Sequence, residues 1–339
     1  MIARLTARRA TNCRTSLVRS RISRVSAKTR ARLAPVYWGI LIFVIAQALT
    51  FLTVTREQPF LDRTHIYVPP QSAGGISLWP TPTPPPPAGE TPAPPAGSLG
   101  PLLIFIFGFA IVLGIILFTV PIRTLRVFLR VIFALLFTWG VFIVLIFWLP
   151  LWVVVGISAA VGVTWFFVPR VWFHNLVMVL AMVSVGAVFG RLITPWTAMV
   201  LVGILAIYDF LAVRFGYMVW MTKKLSQSIA LPAFVIPRRR AEWTASLRQS
   251  AVTDIVDQDP LDRQYSILGG GDVGFSLLLT ASVYFAYGPA GAALVGGFAL
   301  GGLVLAYWIQ AVFLKGKAMP ALPPIAVMSL MALLIVPFI

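Results

Sequence analysis

Nine apolar runs recur between residue 36 and the C-terminus, each of the ~20 residues that cross a bilayer core of ~30 Å. They lie near 36–54, 100–120, 125–149, 151–169, 172–190, 197–219, 267–287, 289–314 and 318–338. Lipid offers no hydrogen bonds, so such runs cross as helices that satisfy their own backbone. Only 11% of the 339 residues are charged and 59% are hydrophobic, against about a quarter charged in soluble domains. The expectation is an all-α membrane protein with nine transmembrane helices and no sizeable soluble domain.

The least obvious boundary is Leu149-Pro150-Leu151. Without it, Val127 to Val168 would form one helix of about 63 Å, twice the hydrocarbon thickness. Proline lacks the backbone donor and clashes with the preceding turn, so a tight hairpin is expected there.

The net charge is +17. In a soluble chain this would suggest nucleic acid as partner. Here the charge follows topology, and no nucleic-acid binding is expected. Residues 1–35 carry ten Arg or Lys and no acid, which reads as a basic cytoplasmic tail. With that tail inside, the inner segments hold Arg123, Arg126, Arg130, Arg170, Lys223, Lys224, Arg238, Arg239, Arg240, Arg248, Arg263, Lys315 and Lys317. The outer segments hold only Arg56, Arg63 and Arg191. Retention of positive charge in the cytoplasm sets helix orientation. A missed or invented helix would spoil the bias. The N-terminus is expected in the cytoplasm, the C-terminus outside, and the cell membrane as location. Anionic lipid headgroups are the expected partners of the basic segments.

These boundaries divide the chain into the tail 1–35, helices one to six over 36–219, a cytoplasmic loop 220–266 and helices seven to nine over 267–339. The external loop 55–98 includes Thr81-Pro82-Thr83-Pro84-Pro85-Pro86-Pro87, an extended, stiff spacer. The loop 220–266 reads as polar and mobile, with Glu242, Asp254, Asp257, Asp259 and Asp262. Its acids lack the glycine and terminal Glu of a calcium loop. His65 and His174 have no ligand partner at a useful spacing, so no metal is expected. The one cysteine, Cys13, lies in the basic tail and permits no internal disulfide.

The chain has ten acids. Eight fall in the expected loops, and only Asp209 and Asp272 fall inside apolar segments. A carboxylate in a membrane helix is costly and marks function by default. Asp209 is about 18 Å along the inward-running sixth helix, and Asp272 about 7 Å along the outward-running seventh. Both therefore fall in the cytoplasmic half of the bilayer. Two facing carboxylates share a proton. One takes a proton from water while the other donates a hydrogen bond to a peptide carbonyl. Water attacks, and a tetrahedral intermediate collapses to break the amide. The pair titrates as a unit, and no cofactor is needed.

The neighbours fit this chemistry. Asp272 closes the run Gly269-Gly270-Gly271-Asp272, where side-chain-free positions admit a close backbone approach. Tyr208 adjoins Asp209. Arg214 is expected to reach the inner headgroups rather than pair with Asp209. Gly186, Gly190, Gly297 and Gly301 are expected only to pack helices. Pro320-Ala321-Leu322-Pro323-Pro324 interrupts regular helix at the start of the ninth span. Irregular backbone at that depth is tolerated where it is buried or lines a wet cavity.

Tyr208-Asp209, Gly269-Gly270-Gly271-Asp272 and Pro320-Ala321-Leu322 resemble the Tyr-Asp, Gly-x-Gly-Asp and Pro-Ala-Leu signatures of the presenilin and signal peptide peptidase family. They stand in order on the sixth, seventh and ninth helices. The resemblance covers roughly 100–339 and is sharpest over 197–324. It implies an intramembrane aspartyl protease of a compact, prokaryote-type form, with Asp209 and Asp272 as catalytic dyad. It further implies that Pro320, Ala321 and Leu322 help form the site and position substrate. The substrates implied are transmembrane helices of other proteins. Such a helix must unwind before water can attack, and the 220–266 loop could pair with the unwound segment as an added strand. The departure is Gly270, a position often larger in relatives.

Prepilin peptidase, another membrane aspartyl protease, is the nearest enzyme rival. It fits less well: Val273-Gly274-Phe275 lacks the lysine usual there, and the rival has no Pro-Ala-Leu element. A proton-coupled transporter or cation channel also uses membrane acids, but no internal repeat of that kind is visible. No Ser or Cys nucleophile with a membrane-depth His supports a rhomboid-like mechanism.

Overall fold

The computed structural model describes residues 34–57, 59–60, isolated positions between 104 and 116, and 119–216, 231–247, 264–314 and 319–338. The tail 1–33, the Pro-rich stretch and the aspartates at 254–262 lie outside the described residues.

Helix α1 is Ala34–Glu57. The described positions between 104 and 119 are helical. Then follow α2 (Ile122–Ile146), α3 (Leu151–Phe167), α4 (Val171–Leu192) and α5 (Pro195–Arg214). The run Gly270–Val312 is broken at Gly288 (φ 82°, ψ −175°), just before Pro289. It is therefore two helices, α6 (270–287) and α7 (289–312). Glycine adopts that left-handed backbone without a Cβ penalty. The last helix, α8, is Leu322–Ile335. Among the described residues, five helical runs have the length and composition to cross a membrane, and the α6–α7 run counts once. α3 and the Leu322–Phe338 run are apolar but shorter.

Sequence cues explain the boundaries. Pro150 at the start of α3 closes the hairpin after α2, as its missing donor requires. The Thr194 side chain accepts from the Thr197 N–H, and Pro195 takes the first helical position of α5. That is a standard helix start.

The sheet departs from an all-α expectation. Strands β1 (Ala233–Pro237) and β2 (Tyr265–Gly269) pair antiparallel, with Val235 opposite Ile267. The polar-loop reading of 220–266 thus fails over 233–237, and the seventh helix starts at 270 instead of 267. The physical reason is burial: all five β1 residues are buried. Phe234 and Ile236 enter the main core, while Ala233 and Val235 meet Leu125, Leu129 and Val171. A 3-10 turn (Arg240–Thr244) follows. The Leu247 N–H donates to Pro169 and the Val171 N–H to Ala245, fixing this segment to the α3–α4 corner.

The main core runs through Phe43 of α1, Phe137 of α2, Trp165 of α3, Met178 of α4, Leu277 of α6, Leu303 of α7 and Ile325 of α8. α4 and α8 lie against the α6–α7 run. A Cβ on Gly190 would stand 2.6 Å from Ala281 Cβ, and one on Gly302 only 2.6 Å from Ile325 Cα. These glycines bring backbones into contact, the usual packing device between membrane helices. Outward positions are apolar: Trp152 is 78% and Phe215 81% exposed. An apolar exterior of this extent suits lipid, not water.

One acid expected in a loop is not in one. Glu57 is the last residue of α1, is buried, and lies 3.9 Å from Arg191 at the end of α4. The Arg191 guanidinium also stands over the Phe285 ring of α6. Cutting one partner of a buried pair leaves an uncompensated charge and costs about 3 kcal/mol or more. Arg191→Leu is therefore expected to lower the melting temperature in detergent clearly. Arg191→Leu with Glu57→Leu should recover much of the loss in the same thermal-shift measurement.

Candidate active site

Asp209 sits in the fourth turn of α5 and is 7% exposed. Asp272 lies in the first turn of α6, half-buried. The two carboxyls are near enough for their charges to interact. The backbone N–H of Leu322 reaches both. Three elements distant in sequence thus converge on one point: α5, the β2–α6 junction and the start of α8.

The prolines account for the lone donor. The first turn of a helix leaves its N–H groups without intrahelical partners. In α8 the first position is Leu322, and Pro323 and Pro324 have no N–H. The Ile325 N–H is already bonded to Ala321 at 3.4 Å. Leu322 is left as the free donor of that turn, with the positive end of the helix dipole behind it. Asp272, in the first turn of α6, sits at a second such end. The ninth span was expected to start at 318; helix begins at Leu322, with Pro320 and Ala321 before it.

The glycines differ in use. A Cβ on Gly269 would stand 2.7 Å from Asp272 Oδ2, so this glycine lets the carboxyl fold back over the strand end. Gly270 is buried against the Met178 methyl, and its Cβ would stand 2.8 Å from the Pro232 carbonyl oxygen. In this chain position 270 meets protein, with no room for a larger residue. Gly271 is exposed, and its Cβ would make only ordinary contact with Phe275 at 3.5 Å.

Tyr208 is 46% exposed and stands about 100° around α5 from the buried Asp209. Arg214 is exposed. Among the described residues no salt bridge joins Arg214 to Asp209. Asp209 Oδ2 is buried, and no described residue donates to it. Its lone pairs are open to a water or a substrate group.

Two features had escaped sequence reasoning. Tyr307 of α7 is within electrostatic range of Asp272, and its hydroxyl packs on Gly39 of α1. No motif marks it; an aromatic in an apolar helix reads as packing. His174 and Asn175 also matter: both are buried and bond to β1. The visible signal was two adjacent polar residues opening an apolar helix. Tyr265 begins β2 beside Glu242. Burial first, then that carboxylate, pushes its phenol up from the ordinary range.

No group of three or more metal-ligating side chains occurs among the described residues. A family model described as signal-peptide peptidase, presenilin aspartyl protease matches residues 83–338. The fold is similar to that of a presenilin family intramembrane aspartate protease seen in two crystal forms. One matches at 16% identity with a TM-score of 0.55, covering 90% of this chain and 99% of the other. The second matches at 17% identity with a TM-score of 0.53, covering 88% and 96%. No curated protein matches the sequence. The family match spans most of the chain, and the chain therefore belongs to the signal-peptide peptidase and presenilin family and is an intramembrane aspartic endopeptidase.

Proposed function

We propose that Asp209 and Asp272 form the catalytic dyad of this protease. The observation that carries the reading is the convergence of both carboxyls on the Leu322 N–H. The pair holds one proton between its two carboxyls. The ionised member takes a proton from water, and the protonated member donates to the scissile carbonyl. Water oxygen bonds to the carbonyl carbon. The tetrahedral intermediate then expels the amine, which receives the proton taken from water. Leu322 keeps the carboxyls in place, and Gly269 leaves Asp272 room. Pro320 and Ala321 bring the start of α8 to the site. Tyr208 and Gly271 belong to the exposed approaches.

The substrates proposed are transmembrane helices of other proteins. A peptide bond in a helix is shielded by its hydrogen bonds, so the substrate unwinds first. The unwound stretch adds as a strand to the free edge of β2. Ile267 supports this: its N–H and C=O point away from β1, and no described residue pairs with them. Gly or Pro inserted near the scissile bond is expected to raise the cleavage rate of a membrane-spanning reporter. A series of such insertions with unchanged rates would count against unwinding as a required step.

Nine transmembrane helices are proposed, with the N-terminus cytoplasmic, the C-terminus external and the cell membrane as location. Supporting this are the eight helices α1 to α8, the helical positions at 104–119 and the inner bias of Arg and Lys. Membrane lipids surround the apolar exterior. The dyad then suits substrate helices that enter with their N-terminus outside. Cysteine labelling at residue 250 from the cytoplasmic side tests the orientation; labelling only from outside would reverse it.

A further inference from the structure

The strand pair is held from one side by α4. The Asn175 side chain donates from Nδ2 to the Val235 carbonyl at 2.7 Å and accepts the Val235 N–H at Oδ1 at 2.9 Å. An amide that both gives to and takes from one residue does what the peptide groups of a neighbouring strand would do. One residue earlier, His174 Nε2 bonds the Ala233 carbonyl at 3.0 Å. Trp165 Nε1–H, which can only donate, bonds His174 Nδ1 at 3.2 Å. The proton of His174 is therefore on Nε2, directed at Ala233.

The sheet register shows what this closes. The Gly270 N–H donates to Pro232 at 3.1 Å, and the Arg238 N–H to Gln264 at 3.1 Å. Residues 232, 234, 236 and 238 thus turn their peptide groups to β2, and 233, 235 and 237 turn theirs away. The outward set of β1 is Ala233, Val235 and Pro237. His174 takes the carbonyl of the first, Asn175 takes both peptide groups of the second, and proline has no N–H to offer. On β2 the outward set includes Ile267, on the opposite edge.

We infer that Asn175, backed by His174, is a positioning residue that serves as a fixed third strand. It closes the outer edge of β1 and holds β1–β2 in register. It leaves the β2 edge, next to Asp272, for an unwound substrate. A free β1 edge would invite pairing with any extended chain. Pairing there would place substrate one strand further from the carboxyls. The bond from Gly270 to Pro232 carries the hold into the first turn of α6, two residues before Asp272. Register of the strands thereby becomes register of the carboxyl against the scissile bond. The inference rests on the strand-addition reading above, but the clamp itself can be judged without it.

The test uses the full-length protein in lipid nanodiscs with a membrane-spanning reporter. Products are located by mass spectrometry, and Asp272→Asn serves as the inactive control. Asn175→Ala is expected to lower kcat/KM about tenfold and to spread cleavage over neighbouring peptide bonds. A purely structural role would lower the amount of active enzyme without moving the cut. Folded Asn175→Ala protein with a rate within about twofold of wild type and unchanged cut sites overturns the inference. If Asn175→Ala does not fold, Asn175→Asp replaces it. The carboxylate still accepts from Val235 but cannot donate, so cut sites should again spread; unchanged sites overturn the inference. Hydrogen exchange on the wild type, without substrate, gives an independent reading. The Val235 amide is expected to be protected, and fast exchange there overturns the clamp. Wild-type protein that cuts no reporter would defeat the functional reading alone, since the exchange result would still decide for or against the clamp.

Discussion

Asp209→Asn and Asp272→Asn proteins are expected to fold normally and to lose cleavage of a membrane-spanning reporter. Each loss should be on the order of a thousandfold or more, and the double variant should be no worse than either single one. Asparagine keeps the shape of the side chain but can neither take up nor release the proton that the reaction moves. The two carboxyls lie in one electrostatic field and face the same Leu322 N–H. Residues that act as one unit show losses that do not add. Independent losses that multiply in the double variant would mean that the carboxyls serve separate steps. Initial rates on purified protein of matched thermal stability measure the difference.

The second large effect is expected at Gly270. A Cβ there would strike the Met178 methyl and stand 2.8 Å from the Pro232 carbonyl oxygen. The methionine can swing aside, but the carbonyl cannot, because it accepts the Gly270 N–H itself at 3.1 Å. Any larger residue must push β1 from the start of α6, or move that start with Asp272 on it. Gly270→Leu is expected to cost about 1–3 kcal/mol of stability by overpacking and to abolish most activity. Met178→Ala added to it should recover only part, since the backbone contact remains. Gly271→Ala, which meets only the Phe275 ring at ordinary distance, should retain most activity. A Gly270→Leu protein as active as wild type would contradict the strand–helix junction described above.

Much of the architecture was legible because lipid simplifies the code. Apolar length and proline position place helix ends to within a few residues, as at Pro150 and Pro195. Asp209 and Asp272 stood out because acids are rare in apolar runs. Other parts were hidden for physical reasons. Strand β1 has only five residues, and both its faces are buried, so it shows no alternation to read. The arginines that follow it made the whole loop look solvated. Glu57 reads as a loop residue because the first apolar run ends near residue 54; its cover comes from Arg191, more than a hundred residues away. The value of Leu322 lies in a backbone N–H that only the neighbouring prolines make unique. Asn175 carries its meaning in a partner 60 residues distant.

The most direct test of the central claim is cross-linking between the two positions. Cys13 is first replaced by serine, since it is the chain's one cysteine. Asp209→Cys and Asp272→Cys are then introduced together, and membranes are treated with the shortest bifunctional thiol reagent. The chain is split by protease between residues 220 and 264, and the fragments are separated under non-reducing conditions. The account predicts that the fragments carrying α5 and α6 stay joined, and that each single-cysteine protein falls apart. Fragments that separate in the double variant, with both thiols shown to be reactive, would contradict a shared site.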